Sequence, residues 1–436
     1  MIDFGLIEAL NAGSADDRLN KLRGLVEKHR DGTMPAMHIN HKYVNNHIHT
    51  DHSFSPYSPT AAAYAARVSG LAMAGVMDHD TLSGAGEFID AGKIIGLPVT
   101  VGLECRCQMG GTPFDGRRVN NPDQNSIAYL ALHGIPRQSM QTAQDFFRPY
   151  RAARNRRNRL MTEKLDSIAA PLGVRIDFDG DVIPVSRAAS GGTVTERHIL
   201  YALSLKLVEK FGRGAKLENV LCEAFGLAIS AGNKSRLNEA RGPLYAYVVL
   251  NVLKGGLARR FYIDAREECP PVGAFLELAK KTGGIAAYAY LGDVTDSVTG
   301  DKSAQAFEDG YLDDLFGWLA SAGFDAVTYM PARNTPAQLC RVALLCERNK
   351  LFQISGEDIN SPFQSFVCGE LQKKEYAHLA DSAWALVGHE EASLNGLSEG
   401  MFSKETVSRM PDLGDRIRHF AKLARDKNTL GMVCES

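Results

Sequence analysis

The sequence predicts an α/β barrel of about seven strands that carries a helical insertion, and three observations lead there. Short strand-like runs alternate with helical stretches. The rhythm stops for a long helical interval and then resumes. Histidines and carboxylates fall at the ends of the strand runs rather than inside them. Alternation of this length argues for βα units and a parallel sheet, and some seven such strands close most economically into a barrel.

Taken in order, residues 1 to about 40 read as a helical lead-in, with Leu6, Leu10, Leu19, Leu22 and Val26 near helical spacing before Gly32 breaks the pattern. From Tyr43 the chain gives YVNNHIH and the helical PTAAAYAARVSG, then LAMAGVM and GAGEFIDAGKIIG. Next come PVTVGLE with a glycine-rich loop, and SIAYLALHG. The rhythm returns as GGIAAYAY, DDLFGWLASAG, FDAVTYM, AQLCRVALLCERNK and LFQIS. The expected organisation is therefore a lead-in (1–40), a barrel from 41–137 and 276–360, a helical cap (138–275) and a C-terminal helical extension (361–436). An insertion between barrel strands belongs on a loop at the mouth, where it covers the site. Its opening RPYRAARNRRNRL is the densest positive cluster, and its spread around a helix reads as a solvated face rather than a nucleic-acid surface.

Composition narrows the classes. A chain of 436 residues that is 44% hydrophobic buries a large core. Forty-nine Lys and Arg against 51 Asp and Glu leave a net charge of -2, so no global field favours nucleic acid. No apolar stretch approaches the roughly 18 residues of a membrane span, and the start lacks a basic segment followed by an apolar run, so a cytoplasmic protein without a membrane partner is expected. Eight cysteines without CxxC spacing read as isolated reduced thiols. The sequence carries no signal for oligomeric state.

The polar strand ends carry the chemistry. His47 and His49 end the first run, Asp78 and His79 the second, Glu104 the third and His133 the fourth, while Asp358 lies just past the last. In a barrel these positions converge on the face where catalytic groups sit. The period of two in His47-Ile48-His49 turns both imidazoles to one side, so they grip a single ion. In Asp78-His79-Asp80 an acid stands beside an imidazole, which makes Asp78 and His79 candidates for proton transfer; Asp80 reads alternatively as a helix cap. Glu104 at a buried strand terminus suits bridging two ions, or else pairing with Arg106. His133 alone would be a core histidine, and its company makes it a ligand candidate.

His47-x-His49-Thr50-x-x-Ser53, Asp78-His79-Asp80-Thr81, Gly102-Leu103-Glu104, His133 and Gly356-x-Asp358 together resemble the PHP (polymerase and histidinol phosphatase) family of metal-dependent phosphoesterases, over roughly 43–135 and 275–360. The helical interval resembles the insert of the family's nucleotide-phosphatase branch, with Thr195-Glu196-Arg197-His198 in the place of a short Arg-His motif leading a helix. The resemblance implies a distorted (β/α)7 TIM-like barrel with an inserted helical cap domain. It also implies two divalent ions (one or three being the alternatives) of Zn, Mn or Fe, and a metal-bound hydroxide attacking phosphorus. The implied ligands are His47, His49, His79, Glu104, His133 and Asp358. Two further ligand positions hold Tyr290 and Asn360, whose phenol and amide are weaker donors, and Phe54 stands where an acid or histidine is usual. Arg197 and His198 are expected to bind the phosphate, with Arg333 beyond FDAVTYM as a second candidate, because a guanidinium fork matches phosphate oxygens.

The expected activity is metal-dependent hydrolysis of a small phosphorylated metabolite such as a nucleotide. Three alternatives stay open: an amidohydrolase on a related barrel, a degraded centre serving as a ligand-binding or scaffold protein, and a nuclease drawn by the arginine-rich helix.

Overall fold

The apolar runs form seven strands: β1 (Asn40–Ile48), β2 (Leu71–His79), β3 (Val99–Gln108), β4 (Ile127–His133), β5 (Ile285–Ala289), β6 (Ala326–Tyr329) and β7 (Phe352–Ser355). The computed structural model describes residues 2–239, 242, 244–294 and 306–433. The strands lie side by side in sequence order in one sheet, which curls nearly to closure. At the seam Ile48 bridges Ile359. The His49 N–H donates to the Ile359 carbonyl and the Ile359 N–H to the His47 carbonyl, each at 3.0 Å. Gly356 permits this approach, because a Cβ there would stand 2.7 Å from both the backbone nitrogen and the Cβ of His47.

The sheet departs from the expected parallel arrangement at one strand. β1 to β3 and β5 to β7 are parallel, but β4 runs antiparallel to both of its neighbours. The reason lies in the connection. A parallel neighbour needs a crossover element, usually a helix, and the glycine-rich segment 109–126 holds none, so β3 and β4 form a hairpin-like pair. His133 therefore ends a strand that runs away from the mouth and lies below it, two residues past the Ala131 that pairs with Glu104, a correction to the expectation that all five strand ends meet there.

The antiparallel β4 also decides how the insertion reaches the mouth. Helices α1 (Phe4–Asn11) and α2 (Ala15–Arg30) precede the barrel, and α3 (Pro59–Val68) and α4 (Ala85–Ile95) follow β1 and β2. After β4 comes α5 (Met140–Ala169), whose 30 residues span about 45 Å. It runs back toward the mouth, where Arg151 and Arg154 reach Asp80 just past β2. Ala143 and Phe147 on its first half belong to the barrel core; Met161, Leu165 and Ala169 on its second half belong to a separate core. That second core is built with α6 (Glu196–Phe211), α7 (Ala215–Glu223), α8 (Ala231–Glu239) and α9 (Tyr245–Phe261). The insertion thus leaves from the far end of the barrel, not from a mouth loop, and α5 carries it up. Helix α10 (Val272–Thr282) leads back to β5, and α11 (Leu312–Ala322) and α12 (Pro336–Asn349) precede β6 and β7. Among the described residues no helix is long and apolar enough to cross a membrane.

The C-terminal helices α13 (Ala377–Ser393), α14 (Lys404–Arg409) and α15 (Leu413–Val433) follow the barrel. The buried His389 of α13 closes the end opposite the mouth. Its Nε2 lies 3.0 Å from the carbonyls of Gly134, after β4, and Gly283, before β5, and its Nδ1 accepts the Met401 N–H at 2.9 Å. Burial pushes the ring down to about 4, although both carbonyls favour the cation. Since the unfolded ring titrates near 6.5, the unfolded chain binds the extra proton first, and the contribution of His389 is complete above about pH 6.5 and lost as pH falls toward 4. We expect His389→Gln to remove roughly 2 kcal/mol of the acid sensitivity between pH 7.5 and pH 5. Urea unfolding of both proteins at pH 7.5 and pH 5 checks this; identical pH slopes would contradict it.

Candidate metal centre

The seam and the first three strands assemble the centre. His47, His49 and Glu104 offer ligand atoms that all lie within 4.8 Å of one another. Around them, His79 Nδ1 is 3.2 Å from Glu104 Oε2, and His49 Nε2 is 3.1 Å from Asp358 Oδ1. The His49 ring centroid is 5.0 Å from that of His47 and 4.7 Å from that of His79. Asp358 arrives by the barrel seam, one residue before the Ile359 bridge.

His133 joins from an unexpected direction. On an antiparallel pair, residues opposite one another share a face; Ala131 faces Glu104, so His133, two residues on, also points inward. It lies outside the tight group, but its Nε2 and that of His47 are buried without a hydrogen-bond partner among the described residues. Such orphaned nitrogens suit an ion.

The protonation states of Glu104, His79, His133 and Asp358 match that use, whereas at His47 burial opposes the cation but Glu104 and the nearby acids hold the ring above its usual value. Burial alone would raise the Glu104 carboxyl, but His47, its Nε2 3.8 Å away, and the fields of His79 and His49 hold it at about 2. Burial pushes His79 down to about 3, and His133 likewise, with His47 adding to the effect on His133. Burial also opposes ionisation of Asp358, yet the His49 contact and the nearby charges keep it well below the usual range. Anionic carboxylates and neutral imidazoles are the forms that ligate metals.

Several expected site residues take other roles. Asp78 is not positioned for proton transfer. Its carboxylate accepts from the Thr50 N–H (2.7 Å), the Thr50 hydroxyl (2.6 Å) and the Ser53 hydroxyl (2.6 Å), and Ser53 Oγ in turn lies 3.2 Å from His49 Nδ1. Asp78 therefore fixes the turn that orients His49. Asp80 pairs with Arg154 at 2.8 Å instead of capping a helix. Arg106 turns away from Glu104 toward Glu196 and Glu268.

Tyr290 is not a ligand in this arrangement. Its hydroxyl donates to Asp309 Oδ1 at 2.6 Å, and burial together with that acid pushes the phenol far up, so it stays protonated. Asn360 is bridged, its amide donating to Asp358 Oδ1 while its oxygen accepts from Arg197, and this engages the oxygen expected to ligate.

The cleft above the centre has a volume of about 1130 Å³. Barrel residues His47, His79, Glu104, Asp358 and Arg333 line it together with Arg197, Leu200, Arg259 and Tyr262 of the insertion. Arg197 faces the centre. Arg333 is in the wall, its Nε donating to the Leu291 carbonyl at 3.3 Å. His198 does not line the cleft, which corrects its expected phosphate role. It sits at the third helical position of α6, its Nδ1 accepts the Thr195 N–H at 3.0 Å, and burial pushes the ring down to about 3. Phe54, in the place of an acid or histidine, packs edge-on against His198 at 4.9 Å and enters the core of the insertion, with a left-handed φ of 108°.

The sequence reading missed Glu196, Glu268 and the inward half of the arginine cluster. Arg154 and Arg157 are buried, whereas Arg148, Arg156 and Arg159 are exposed. The signal was present: Arg154, Arg157, Met161 and Leu165 recur at helical spacing, so the two arginines share a stripe with core residues.

No protein-family model and no curated protein matches this sequence. Among solved structures, the chain is similar to a protein assigned as a metal-dependent phosphoesterase from Bifidobacterium adolescentis ATCC 15703, at 20% identity and a TM-score of 0.50, over 78% of this chain and 96% of that one. An amidohydrolase from Chromobacterium violaceum, solved with bound sulfate and no metal, is similar at 16% identity and a TM-score of 0.49, over 78% of this chain and 96% of its own. At these identities it is the fold that the first likeness establishes, and that fold is the barrel with helical additions that the sequence resemblance implied.

Proposed function

We propose that this chain is a metal-dependent phosphoesterase that hydrolyses a small phosphorylated metabolite such as a nucleotide. The observation that carries the reading is the convergence of His47, His49 and Glu104, with Asp358 and His79 beside them, on a cleft that Arg197 enters from the other side. Imidazoles mixed with carboxylates suit Zn, Mn or Fe, and the orphaned His47 and His133 nitrogens fit such an ion. His47, His49, Glu104, His133 and Asp358 exceed the four positions of one tetrahedral ion, which supports two. Divalent ions bound there supply Lewis-acid polarisation of a phosphoryl oxygen and lower the pKa of a bound water.

The chain's own residues bind and orient. The Arg197 fork matches phosphate oxygens, and its contact with Asn360 aims it at the centre. His79, in the cleft wall with Nδ1 toward Glu104, is the candidate to move a proton. A second reading, a ligand-binding protein with a depleted centre, is favoured by the engagement of Tyr290 with Asp309 and of Asn360 with Arg197.

Two expectations separate these readings. Glu104→Gln should lose bound metal, read by elemental analysis, and lower phosphate release from monoesters and alcohol release from diesters, with added Mn or Zn, by about 100-fold; unchanged metal and turnover would refute the assignment. Arg197→Ala should keep its metal but bind phosphate roughly 10- to 100-fold more weakly in an inhibition titration. A wild-type chain that takes up no ion and releases no phosphate would leave the ligand-binding reading.

A further inference from the structure

Four charges close into a ring at the cleft wall, with Arg106, Arg157 and Glu268 buried and Glu196 keeping 26% of its side chain exposed. Arg106, on β3 two residues past Glu104, reaches Glu196 Oε1 at 3.3 Å and Glu268 Oε1 at 2.9 Å. Arg157, on α5, reaches the same two oxygens at 2.5 and 2.6 Å. Each arginine thus bridges both glutamates and each glutamate both arginines. The four come from different segments: a barrel strand, the helix that climbs to the mouth, the first turn of α6 and the stretch leading back to α10. Two charges of each sign in mutual contact offset one another's cost of leaving water.

The ring has a neighbour that matters. Glu196 is the first residue of α6 and Arg197 the second, so whatever fixes Glu196 fixes the backbone from which Arg197 extends. The preceding segment is also pinned, as Asn158 of α5 donates to the Val194 carbonyl at 2.8 Å and the Thr193 N–H donates to the His52 carbonyl at 2.7 Å. Arg197 then crosses to Asn360 on the opposite side of the cleft. A long arginine side chain on an untethered helix start would hold that contact only part of the time.

We infer that Glu196 is a positioning residue: held by Arg106 and Arg157, it fixes the start of α6 so that Arg197 meets Asn360 at the metal centre. The ring adds a polar tie between insertion and barrel to those made by Thr193 with His52 and by Arg154 with Asp80. This inference rests on the phosphoesterase reading for what Arg197 binds, but not for where Arg197 stands.

The experiment uses the full chain, with inorganic phosphate as the probe. Glu196→Gln should keep the wild-type metal content and weaken phosphate binding by about tenfold or more. Because Glu196 acts through Arg197, adding it to Arg197→Ala should cost little further affinity. Arg157→Lys keeps the charge but cannot bridge both glutamates; it should give a smaller loss in the same direction, and it carries the test if Glu196→Gln does not fold. Crystal structures of the variants read the position directly, the expected result being an Arg197 that has left Asn360. If Arg197 stays on Asn360, or if the two affinity losses multiply, the positioning role is wrong. If Arg197 moves but the wild type binds neither metal nor phosphate, the positioning role stands and the phosphoesterase reading falls.

Discussion

The seam between β1 and the end of β7 is the constraint on which the centre depends. Backbone hydrogen bonds between His47, His49 and Ile359 draw the first and last parts of the barrel together, and Gly356 leaves room for His47 to lie against them. Closure puts Asp358 beside His49 although the two are far apart in the chain. Without that approach the imidazoles would face an open sheet edge, and an unpaired edge is itself a liability. The same contacts that complete the barrel therefore complete the donor set.

A second consequence flows from the connection between β3 and β4. Lacking a helix, it turns the chain back and makes β4 the one antiparallel strand. His133 then approaches the barrel interior from the other direction, and the chain emerges at the end away from the mouth. A helix as long as α5 is what returns it, and that length lets one element serve two cores. The buried arginines lie where α5 passes from one core to the other, and their acidic partners come from both sides. Phe54 adds an apolar tie, its ring among the insertion's residues although its backbone belongs to the turn after β1.

Much of this was legible in the residues. All seven strand runs are strands, because short apolar segments bounded by polar turns leave little else to form. The HxH pair, Glu104 and Asp358 meet because strand periodicity fixes the direction of a side chain wherever the strand ends. What periodicity does not encode is partnership across the fold. Asp78 looked like a proton carrier but is consumed by Thr50 and Ser53, which are close in sequence yet offer donors only once the turn has formed. His198 looked like a phosphate ligand but serves its own helix start, a local use that competes for any histidine at that position. Strand direction was misread at β4 because direction depends on the connection rather than on the strand.

The claim that this mouth holds metal is tested most directly by anomalous diffraction from a crystal of the wild-type chain soaked with Mn. The expected result is an anomalous peak in contact with the ligand atoms of His47, His49 and Glu104, below the Arg197 side of the cleft. A fully soaked crystal with no peak there, or with its peak elsewhere in the molecule, would contradict it.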